Sequence, residues 1–487
     1  MNYLTKSLTE LHELLKSGKV TSRELITEAL TKAHASQKEI NAFVTIIDDA
    51  KEQPLTGHIL SGIPYAVKDN LSTKDILTTA SSNTLKDYVP FYDATCVRKL
   101  KELGAVNIGK TVMDELGMGG NGTTGHTGIV HNPWDPKRLT AGSSAGSAAA
   151  VAMGIVPYAL GSDTGDSIRK PAAYCGIVGY KPTYGLVSRY GLFAFASSLD
   201  HVGCLTRSVL DAAIVIDGIK GYDEEDMTSL PDDNISLAKA CTGQVKNKKL
   251  FYIKEIIDLK DSPDASDELK AVMAEFEKTI KICEKLGIMV EAKSIDQRLL
   301  DALYPTYFCL SCAEATSNDS NLTGIVFGPR GEGKNIYEVI KDHRTKGFSP
   351  LIKRRFVIGS YVLQKENQER YFLNAQRARR LIVEAMNELF KTYDGLILPC
   401  SGGPARYIEQ SSNVLQKENP ILENHLFIGN AGGFPSITIP NGLVNNLPIG
   451  INITGKAKDD ANVLNLAFAI ESKLGYKNQI AQRGDLS

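Results

Sequence analysis

The sequence predicts an α/β protein in which helices cover both faces of one large sheet. From Gly62 onward, short apolar segments of strand length alternate with longer segments that have helical periodicity. The segment SAGSAAAVAMG consists mostly of very small residues, which suit a helix that packs closely against a sheet. The chain has 487 residues, 43% of them hydrophobic, and this is enough apolar material for a sizeable core.

The predicted elements follow in order along the chain. The first sixty residues are predicted to be helical, because Thr21 and Glu24 have capping-box spacing ahead of the apolar positions of TSRELITEALTKAH. The strand GIPYAVKDN, the helix DATCVRKLKELG and the strand AVNIGK come next, and this helix stops at Gly104. Two later helices, LKAVMAEFEKTIKICEKLG and LIVEAMNELFKTYDG, lead into the strands IMVEAKSI and LILPC. Two strands joined by a polar turn, FPSITIPNGL and LPIGINITG, precede the last helix, NVLNLAFAIESKLG.

The sequence contains no internal repeat, low-complexity block or linker rich in proline and serine. The polar stretch GYDEEDMTSLPDDN is the one candidate seam, and we interpret it as a surface loop. We therefore expect residues 1–487 to form a single domain, with a helical segment at about 1–60 packed on it.

Charge, cysteine content and hydropathy exclude several classes of protein. The formal net charge of -1 argues against strong nonspecific binding to nucleic acid. Eight cysteines are scattered through apolar surroundings, and the N-terminal MNYLTKSLTELHELL has neither an apolar signal core nor a cleavage site. No apolar run approaches the length of a membrane span. We expect a cytoplasmic protein with reduced thiols and no membrane contact.

Candidate metal and phosphate sites in the sequence are weak. The eight histidines are dispersed, and Cys309 and Cys312 lie on one face of a predicted helix, where packing in the core is the usual role. The segment GPRGEGKN (328–335) has the spacing of a P-loop. However, Asn335 occupies the position where magnesium binding requires Ser or Thr. We interpret this segment as a basic surface loop and expect no metal and no cofactor on this chain.

The stretch LGSDTGDSIRKPAAYCG is rich in glycine and serine and contains no histidine. A histidine-based triad is disfavoured because no G-x-S-x-G motif is present and only His201 lies near. Lys68, at the end of an apolar strand, offers another base, because burial favours the neutral amine, which can accept a proton from serine. Glycine turns can aim several backbone N–H groups at one oxygen, as an oxyanion hole requires. For each turn taken alone, a tight strand-to-helix connection remains the alternative.

At these segments the chain resembles the amidase signature family. GIPYAVKDN, GSSAGSAAAVA, GSDTGDSIRKPAAYCGIVGYKPTYG and VSRYGLFAFASSLDHVG occur in order and at the family's spacing, and the match covers essentially the whole chain. The resemblance implies an amidase signature fold with a large mixed sheet. It also implies a Ser-Ser-Lys triad in which Ser167 is the nucleophile, Ser143 relays protons and Lys68 is the base. Ser143 would follow a cis peptide bond from Gly142.

The same resemblance implies an oxyanion hole formed by consecutive backbone N–H groups, those of Thr164, Gly165, Asp166 and Ser167. Asp166 departs from the family, which usually has glycine directly before the nucleophile, while Ala141 and Ala145 are smaller departures. Aspartate tolerates left-handed backbone better than most residues, so the turn can form. Its carboxylate would nevertheless oppose a developing oxyanion unless it points away or pairs with a cation, for which Arg169 and Lys170 are candidates.

Within the family, GKTVMDELGMGGNGTTG and YGLFAFASSLDHVG resemble the glutamine-hydrolysing subunits of tRNA-dependent amidotransferases. That resemblance implies that Tyr307 closes over glutamine and that Arg355 binds its α-carboxylate, a role suited to the planar guanidinium. The resemblance also implies an aspartate that binds the substrate ammonium, and Glu423 is the nearest acidic residue in register with it.

The resemblance also implies partners. These are the B and C subunits of a heterotrimer, with ATP and magnesium on one of the partners and charged tRNA bound through the complex. The product would be Gln-tRNA, Asn-tRNA or both, depending on which misacylated tRNAs the cell makes. Two alternatives stay open: a stand-alone amidase acting on small amides, and an inactive scaffold with the amidase fold.

Overall fold

The computed structural model describes residues 2–231, 234–413 and 420–481. Asp232 and Asp233 of the predicted surface loop lie outside the described residues, and the rest of that loop has no regular secondary structure. The strands are β1 (Phe43–Ile46), β2 (Pro64–Lys68), β3 (Val106–Thr111), β4 (Tyr158–Asp163), β5 (Val178–Lys181), β6 (His201–Thr206), β7 (Lys249–Ile253), β8 (Met289–Lys293), β9 (Gly395–Pro399), β10 (Ser436–Val444) and β11 (Leu447–Thr454).

Helices fill the connections between the strands. The α-helices are α1 (Leu8–Lys16), α2 (Ser22–Ile40), α3 (Thr95–Glu102), α4 (Ala145–Ala152), α5 (Arg169–Cys175), α6 (Val209–Ile219), α7 (Leu237–Ala240), α8 (Lys254–Ile257), α9 (Asp267–Lys285), α10 (Gln297–Asp301), α11 (Leu303–Asn318), α12 (Ile336–Gly347), α13 (Pro350–Leu363), α14 (Lys365–Gln368), α15 (Asn374–Leu389), α16 (Pro420–Asn424), α17 (Phe427–Ala431) and α18 (Asp460–Leu474). Short 3₁₀ helices lie at Tyr3–Thr5, Asn83–Leu85, Glu115–Gly117, Asp258–Asp261, Asp319–Asn321 and Ile408–Asn413, and a π-helical turn lies at Glu369–Leu373.

One 11-stranded sheet joins these strands in the order β1-β3-β2-β4-β6-β5-β10-β11-β9-β7-β8. β2 runs parallel to both β3 and β4, and β7 runs parallel to both β8 and β9, while the remaining pairs are antiparallel. The predicted α/β fold with a large mixed sheet is therefore confirmed.

Neighbouring residues of β5 demonstrate that helices cover both faces of the sheet. A Cβ placed on Gly179 would lie 2.6 Å from Ala172 of α5, whereas the hydroxyl of Tyr180 donates to Asp460 of α18 at 2.6 Å. Successive strand residues point to opposite faces, so α5 and α18 lie on opposite sides of the sheet.

The predicted hairpin near the C-terminus forms as β10 and β11. Its turn residues Asn445 and Asn446 both have positive φ, 53° and 61°. Two consecutive left-handed residues match the right-handed twist of the paired strands, and asparagine tolerates this conformation.

The helical prediction for the first sixty residues holds only to Ile40. Asn41 ends α2 in the left-handed conformation, and β1 then pairs antiparallel with β3, placing Phe43 opposite Thr111. The prediction is wrong beyond Asn41 because a short β-branched segment acquires its strand conformation from a neighbouring edge rather than from its own periodicity.

The N-terminal helices are tied to the rest of the molecule by buried polar contacts. Arg207 donates to the carbonyl of Leu4 at 2.6 Å, and the backbone N–H of Leu8 donates to Asp211 at 3.1 Å. The hydroxyl of Ser22, the first residue of α2, donates to the carbonyl of Gly62 at 2.8 Å, just before β2.

The structure also tests two predictions from the sequence, one for the cysteines and one for the segment 328–335. All eight cysteines are free thiols, and Cys309 and Cys312 lie within α11 as predicted. The segment 328–335 is a loop, as predicted, and the side chain of Asn335 caps α12 by accepting from the backbone of Glu338 at 3.0 Å. Among the described helices, none is both long and apolar enough to cross a bilayer.

Candidate active site

The site lies at the carboxyl ends of two neighbouring parallel strands in the interior of the sheet. Lys68 is the last residue of β2 and Asp163 is the last residue of β4. Because parallel strands have their carboxyl ends on the same side of the sheet, Lys68 lies next to the turn of residues 164–168, which leads from β4 into α5. The site also includes the turn that carries Ser143, which leads directly into α4.

The Lys68 side chain is fully buried and surrounded by oxygen atoms. Its Nζ lies 2.7 Å from Ser143 Oγ, 2.9 Å from Ser144 Oγ and 3.1 Å from the carbonyl of Ser162. Burial disfavours the charged amine and lowers the pKa of Lys68 to about 7. Near neutral pH a large fraction of Lys68 is therefore an uncharged base.

The hydrogen-bond partners of Lys68 direct its lone pair toward Ser143. The hydroxyl of Ser144 donates to the carbonyl of Ser162 at 3.1 Å, so Ser144 Oγ and that carbonyl are both acceptors for Lys68 N–H groups. A neutral amine has only two N–H groups, and both are used by these acceptors. The remaining contact, at 2.7 Å, leaves the Ser143 hydroxyl as donor to the amine nitrogen.

Ser143 follows a cis peptide bond from Gly142, in agreement with the resemblance. A Cβ on Gly142 would lie 1.9 Å from Asp114 Oδ2, so only glycine fits at this position. The Asp114 carboxylate accepts from the backbone N–H groups of Asn121, Gly122, Thr123 and Thr124. This buried carboxylate positions the turn on which Ser143 lies.

The Ser167 turn presents free backbone donors. Ser144 N–H donates to the carbonyl of Ser167 at 3.1 Å, which joins the two serine turns. In the part of the chain that the structure describes, the backbone N–H groups of residues 164–167 donate to no protein acceptor. Consecutive unused N–H groups next to a serine hydroxyl are the arrangement that stabilises an oxyanion.

A buried ion pair between Arg169 and Asp163 stabilises this turn. Arg169 donates through Nε to Asp163 Oδ2 at 3.0 Å and through Nη2 to Oδ1 at 2.9 Å, and it also donates to the carbonyl of Gly165 at 2.8 Å. Asn430 of α17 donates to Asp163 Oδ1 at 2.9 Å. Burial by itself would raise the pKa of Asp163, but the charge of Arg169 outweighs this effect and holds the pKa below its usual value.

Arg169→Leu is expected to lower the free energy of unfolding by about 3–5 kcal/mol, because it leaves the buried Asp163 carboxylate without its cation. Urea unfolding monitored by circular dichroism measures this change. Arg298→Leu removes an arginine from an exposed pair with Asp296 and serves as the control, with no measurable loss expected. Equal stability of the two variants would contradict a structural role for the Arg169 pair.

Two residues proposed to contact substrate lie on packed helices above the turn. A Cβ on Gly165 would lie 2.9 Å from the Tyr307 ring, so Tyr307 covers the turn of residues 164–168. Arg355 is half-buried, with its guanidinium 5.4 Å from the Phe195 ring centre and 5.1 Å from that of Phe308. The two aromatic rings therefore hold the Arg355 guanidinium in position.

Glu423, the third such residue, is already paired with two cations. It forms an ion pair with Lys170 of α5 and a second with Arg406, whose Nη2 lies 2.8 Å from Oε1. Lys170 Nζ in turn lies 3.9 Å from Asp166 Oδ2. Of the two cations considered for Asp166, Lys170 is the one that faces it, since Arg169 binds Asp163. Burial raises the pKa of Asp166 to about 6, although Lys170 opposes the shift.

His201 does not supply a base. Its Nδ1 lies 2.7 Å from the carbonyl of Leu199, and burial lowers its pKa well below the usual value. The carboxylate of the neighbouring Asp200 accepts from the hydroxyl of Thr164 at 2.6 Å, which anchors the start of the turn of residues 164–168.

Several residues that build this site were not predicted from the sequence: Asp114, Ser144, Ser162, Asp163, Asp200 and Asn430. Ser144 lies in the quoted GSSAGS motif, and the pattern SDTGDSIR places Asp163 and Arg169 on either side of the turn. No local pattern identifies Asp114, Asp200 or Asn430, because their partners come from distant parts of the chain.

Comparison with known proteins relates the chain to one family. The family model described as Amidase matches residues 24–464. The A subunit of glutamyl-tRNA(Gln) amidotransferase of Exiguobacterium sibiricum is 39% identical over 485 residues, covering 98% of both chains, and that of Lacticaseibacillus paracasei is 39% identical over 493 residues, covering 99% of both. The crystal structure of the corresponding A subunit from Thermotoga maritima superposes with a TM-score of 0.81 at 34% identity, covering 99% of this chain and 97% of that one. A 6-aminohexanoate cyclic dimer hydrolase shares the fold, with a TM-score of 0.82 at 22% identity, and the match covers 97% of this chain and 98% of that one.

Proposed function

We propose, since this chain belongs to the amidase family, that it is the glutamine-hydrolysing subunit of a tRNA-dependent amidotransferase. Full-length similarity to proteins named as the A subunit of glutamyl-tRNA(Gln) amidotransferase supports this assignment. The observation that carries the chemistry is Lys68, a buried lysine with a pKa of about 7 whose Nζ lies 2.7 Å from Ser143 Oγ. The reaction converts glutamine and water into glutamate and ammonia.

Acylation begins with the Ser167 hydroxyl. Ser167 Oγ attacks the side-chain amide carbon of glutamine while its proton passes to Ser143 Oγ and the proton of Ser143 passes to neutral Lys68. The amide oxygen becomes an oxyanion that receives the N–H groups of residues 164–167. Collapse breaks the C–N bond, and the proton held by Lys68 returns through Ser143 to the nitrogen, which leaves as ammonia.

Deacylation repeats the proton transfers with water. A water molecule attacks the acyl-Ser167 ester and gives its proton to the same Ser143–Lys68 pair. The second tetrahedral intermediate collapses with release of glutamate, and the proton returns to Ser167 Oγ. Each cycle leaves the three residues in their starting protonation states.

Three residues contact glutamine in this proposal. Arg355 pairs with the α-carboxylate through its planar fork, Tyr307 covers the side chain, and Glu423 accepts the α-ammonium. The packing of Arg355 against Phe195 and Phe308 restricts its orientation, which reduces the entropy lost when a carboxylate binds.

The released ammonia is used by a partner. We place this chain in a cytoplasmic heterotrimer with B and C subunits, where one of the partners holds ATP and magnesium, activates glutamate esterified to tRNA(Gln) and amidates it. Aspartyl-tRNA(Asn) is a second substrate where the cell supplies it. The formal net charge of -1 fits a subunit that leaves most tRNA contact to its partners.

Co-purification with the partner subunits, followed by a glutaminase assay, tests the proposal. We expect glutamine hydrolysis by the complex to increase when charged tRNA and ATP are added, and a fluorophosphonate probe to label Ser167. Rapid hydrolysis of aryl amides with no activity on glutamine would instead favour a stand-alone amidase. A chain that the probe does not label would be a scaffold.

A further inference from the structure

Four charged side chains form a network that begins at the residue before the proposed nucleophile. Asp166 directly precedes Ser167, Lys170 lies one helical turn later on α5, and Glu423 and Arg406 come from distant segments. Lys170 Nζ is within ion-pair distance of both carboxylates, in direct contact with Glu423 and 3.9 Å from Asp166 Oδ2. With two carboxylates and two cations, the network is neutral when every member is ionised.

The position of Asp166 creates a problem for catalysis. Its own backbone N–H is one of the proposed oxyanion donors, so its carboxylate lies on the residue that must stabilise negative charge. A carboxylate and an oxyanion bound by the same residue repel each other, and the repulsion grows where solvent is excluded. A cation paired with the Asp166 carboxylate while the oxyanion forms would offset this repulsion. Lys170 is close enough to form that pair.

The two carboxylates compete for the same ammonium group. Lys170 pairs more closely with Glu423 than with Asp166, although Glu423 already has Arg406 on its other oxygen at 2.8 Å. The α-ammonium of glutamine, once bound at Glu423, would repel the ammonium of Lys170. Because Asp166 Oδ2 is only 3.9 Å away, a small rotation at the end of the Lys170 side chain moves the charge from one carboxylate to the other.

We propose that Lys170 is a positioning residue whose charge moves from Glu423 to Asp166 when the substrate ammonium binds at Glu423, so that substrate recognition neutralises the carboxylate beside the oxyanion hole. This inference rests on the proposed glutaminase function and on Glu423 as the ammonium site. Its consequence is specificity for amides that carry an α-ammonium, expressed in kcat rather than in KM. Substrates without that group bind but leave Asp166 uncompensated.

Lys170→Gln tests the compensation of Asp166. Measured as glutaminase activity of the complete complex with charged tRNA, kcat should fall roughly 10- to 100-fold with little change in KM. The double variant Asp166→Gly with Lys170→Gln should recover most of this loss, because the carboxylate that needs the cation is gone. Lys248→Gln, which breaks a lysine–aspartate pair outside this network, is the matched control and should keep kcat.

Substrate discrimination tests the movement of the charge. Wild type should hydrolyse glutamine with a kcat roughly 10-fold or more above that for glutaramate, the same amide without the α-ammonium. In the double variant the ratio of the two kcat values should approach one. An unchanged kcat in Lys170→Gln, no recovery in the double variant, or an unchanged ratio would each overturn the inference. Fluorophosphonate labelling of each variant confirms that Ser167 is intact. Wild-type complex without glutaminase activity would refute the proposed function itself, which is a separate outcome.

Discussion

Ser167→Ala is expected to abolish glutamine-dependent amidation by the complex while amidation with free ammonia continues. Without the hydroxyl no acyl-enzyme forms, and the loss expected for removing a serine nucleophile is about 10,000-fold or more. In the proposed complex the ammonia-dependent reaction takes place on a partner subunit, so it should need only a folded assembly. Glutamate release and Gln-tRNA formation, measured with glutamine or with ammonium chloride as nitrogen donor, separate the two activities.

The control for Ser167→Ala is Ser236→Ala, which removes another serine hydroxyl, one that caps α7 away from the site. This variant should keep both activities. Loss of both activities in Ser167→Ala would mean that the hydroxyl has a structural role in the assembly. Retained glutaminase activity would identify a different nucleophile.

Lys68→Arg is expected to reduce glutaminase activity roughly 100- to 10,000-fold, the contribution typical of general acid–base catalysis. Arginine cannot give up its proton, so it cannot accept one from Ser143. The wild-type pH profile provides a second measurement of the same base. Only neutral Lys68 accepts a proton, and its pKa is about 7. Consequently kcat/KM should level off above pH 7 and fall about tenfold for each pH unit below it.

Two results would contradict Lys68 as the base. One is substantial glutaminase activity in Lys68→Arg, and the other is a wild-type kcat/KM that stays constant below pH 7. Fluorophosphonate labelling of Lys68→Arg, compared with the circular dichroism spectrum of the variant, distinguishes loss of the base from loss of folding.

The elements with clear periodicity were predictable because their signals are local. The helices α9 and α15 carry amphipathic patterns of many residues, and β2 and β9 are apolar runs that are buried in the sheet. Strand β1 was missed because four residues at a sheet edge take their conformation from pairing with β3. Local sequence patterns also do not reveal the order of strands in the sheet. β4 lies beside β2 and β6, and not beside β3 and β5, the strands that precede and follow it in the chain.

The candidate site likewise has features that the sequence predicts and features that only the tertiary structure reveals. Sequence by itself determined the residue types proposed to react: a lysine at the end of an apolar strand and two serines on glycine turns. It also showed an aspartate where the family usually has glycine. Burial alone then accounts for the lowered pKa of Lys68, as the sequence argument expects.

Only the tertiary structure decided which cation meets which carboxylate. Arg169 and Lys170 are adjacent in the chain, yet the first pairs with Asp163 and the second lies between Asp166 and Glu423. Glu423 is 253 residues from Lys170, so no local spacing could bring them together. Helix α5 points neighbouring side chains in different directions, and the segments packed against each direction select the partner, because a buried charge must be paired where it lies.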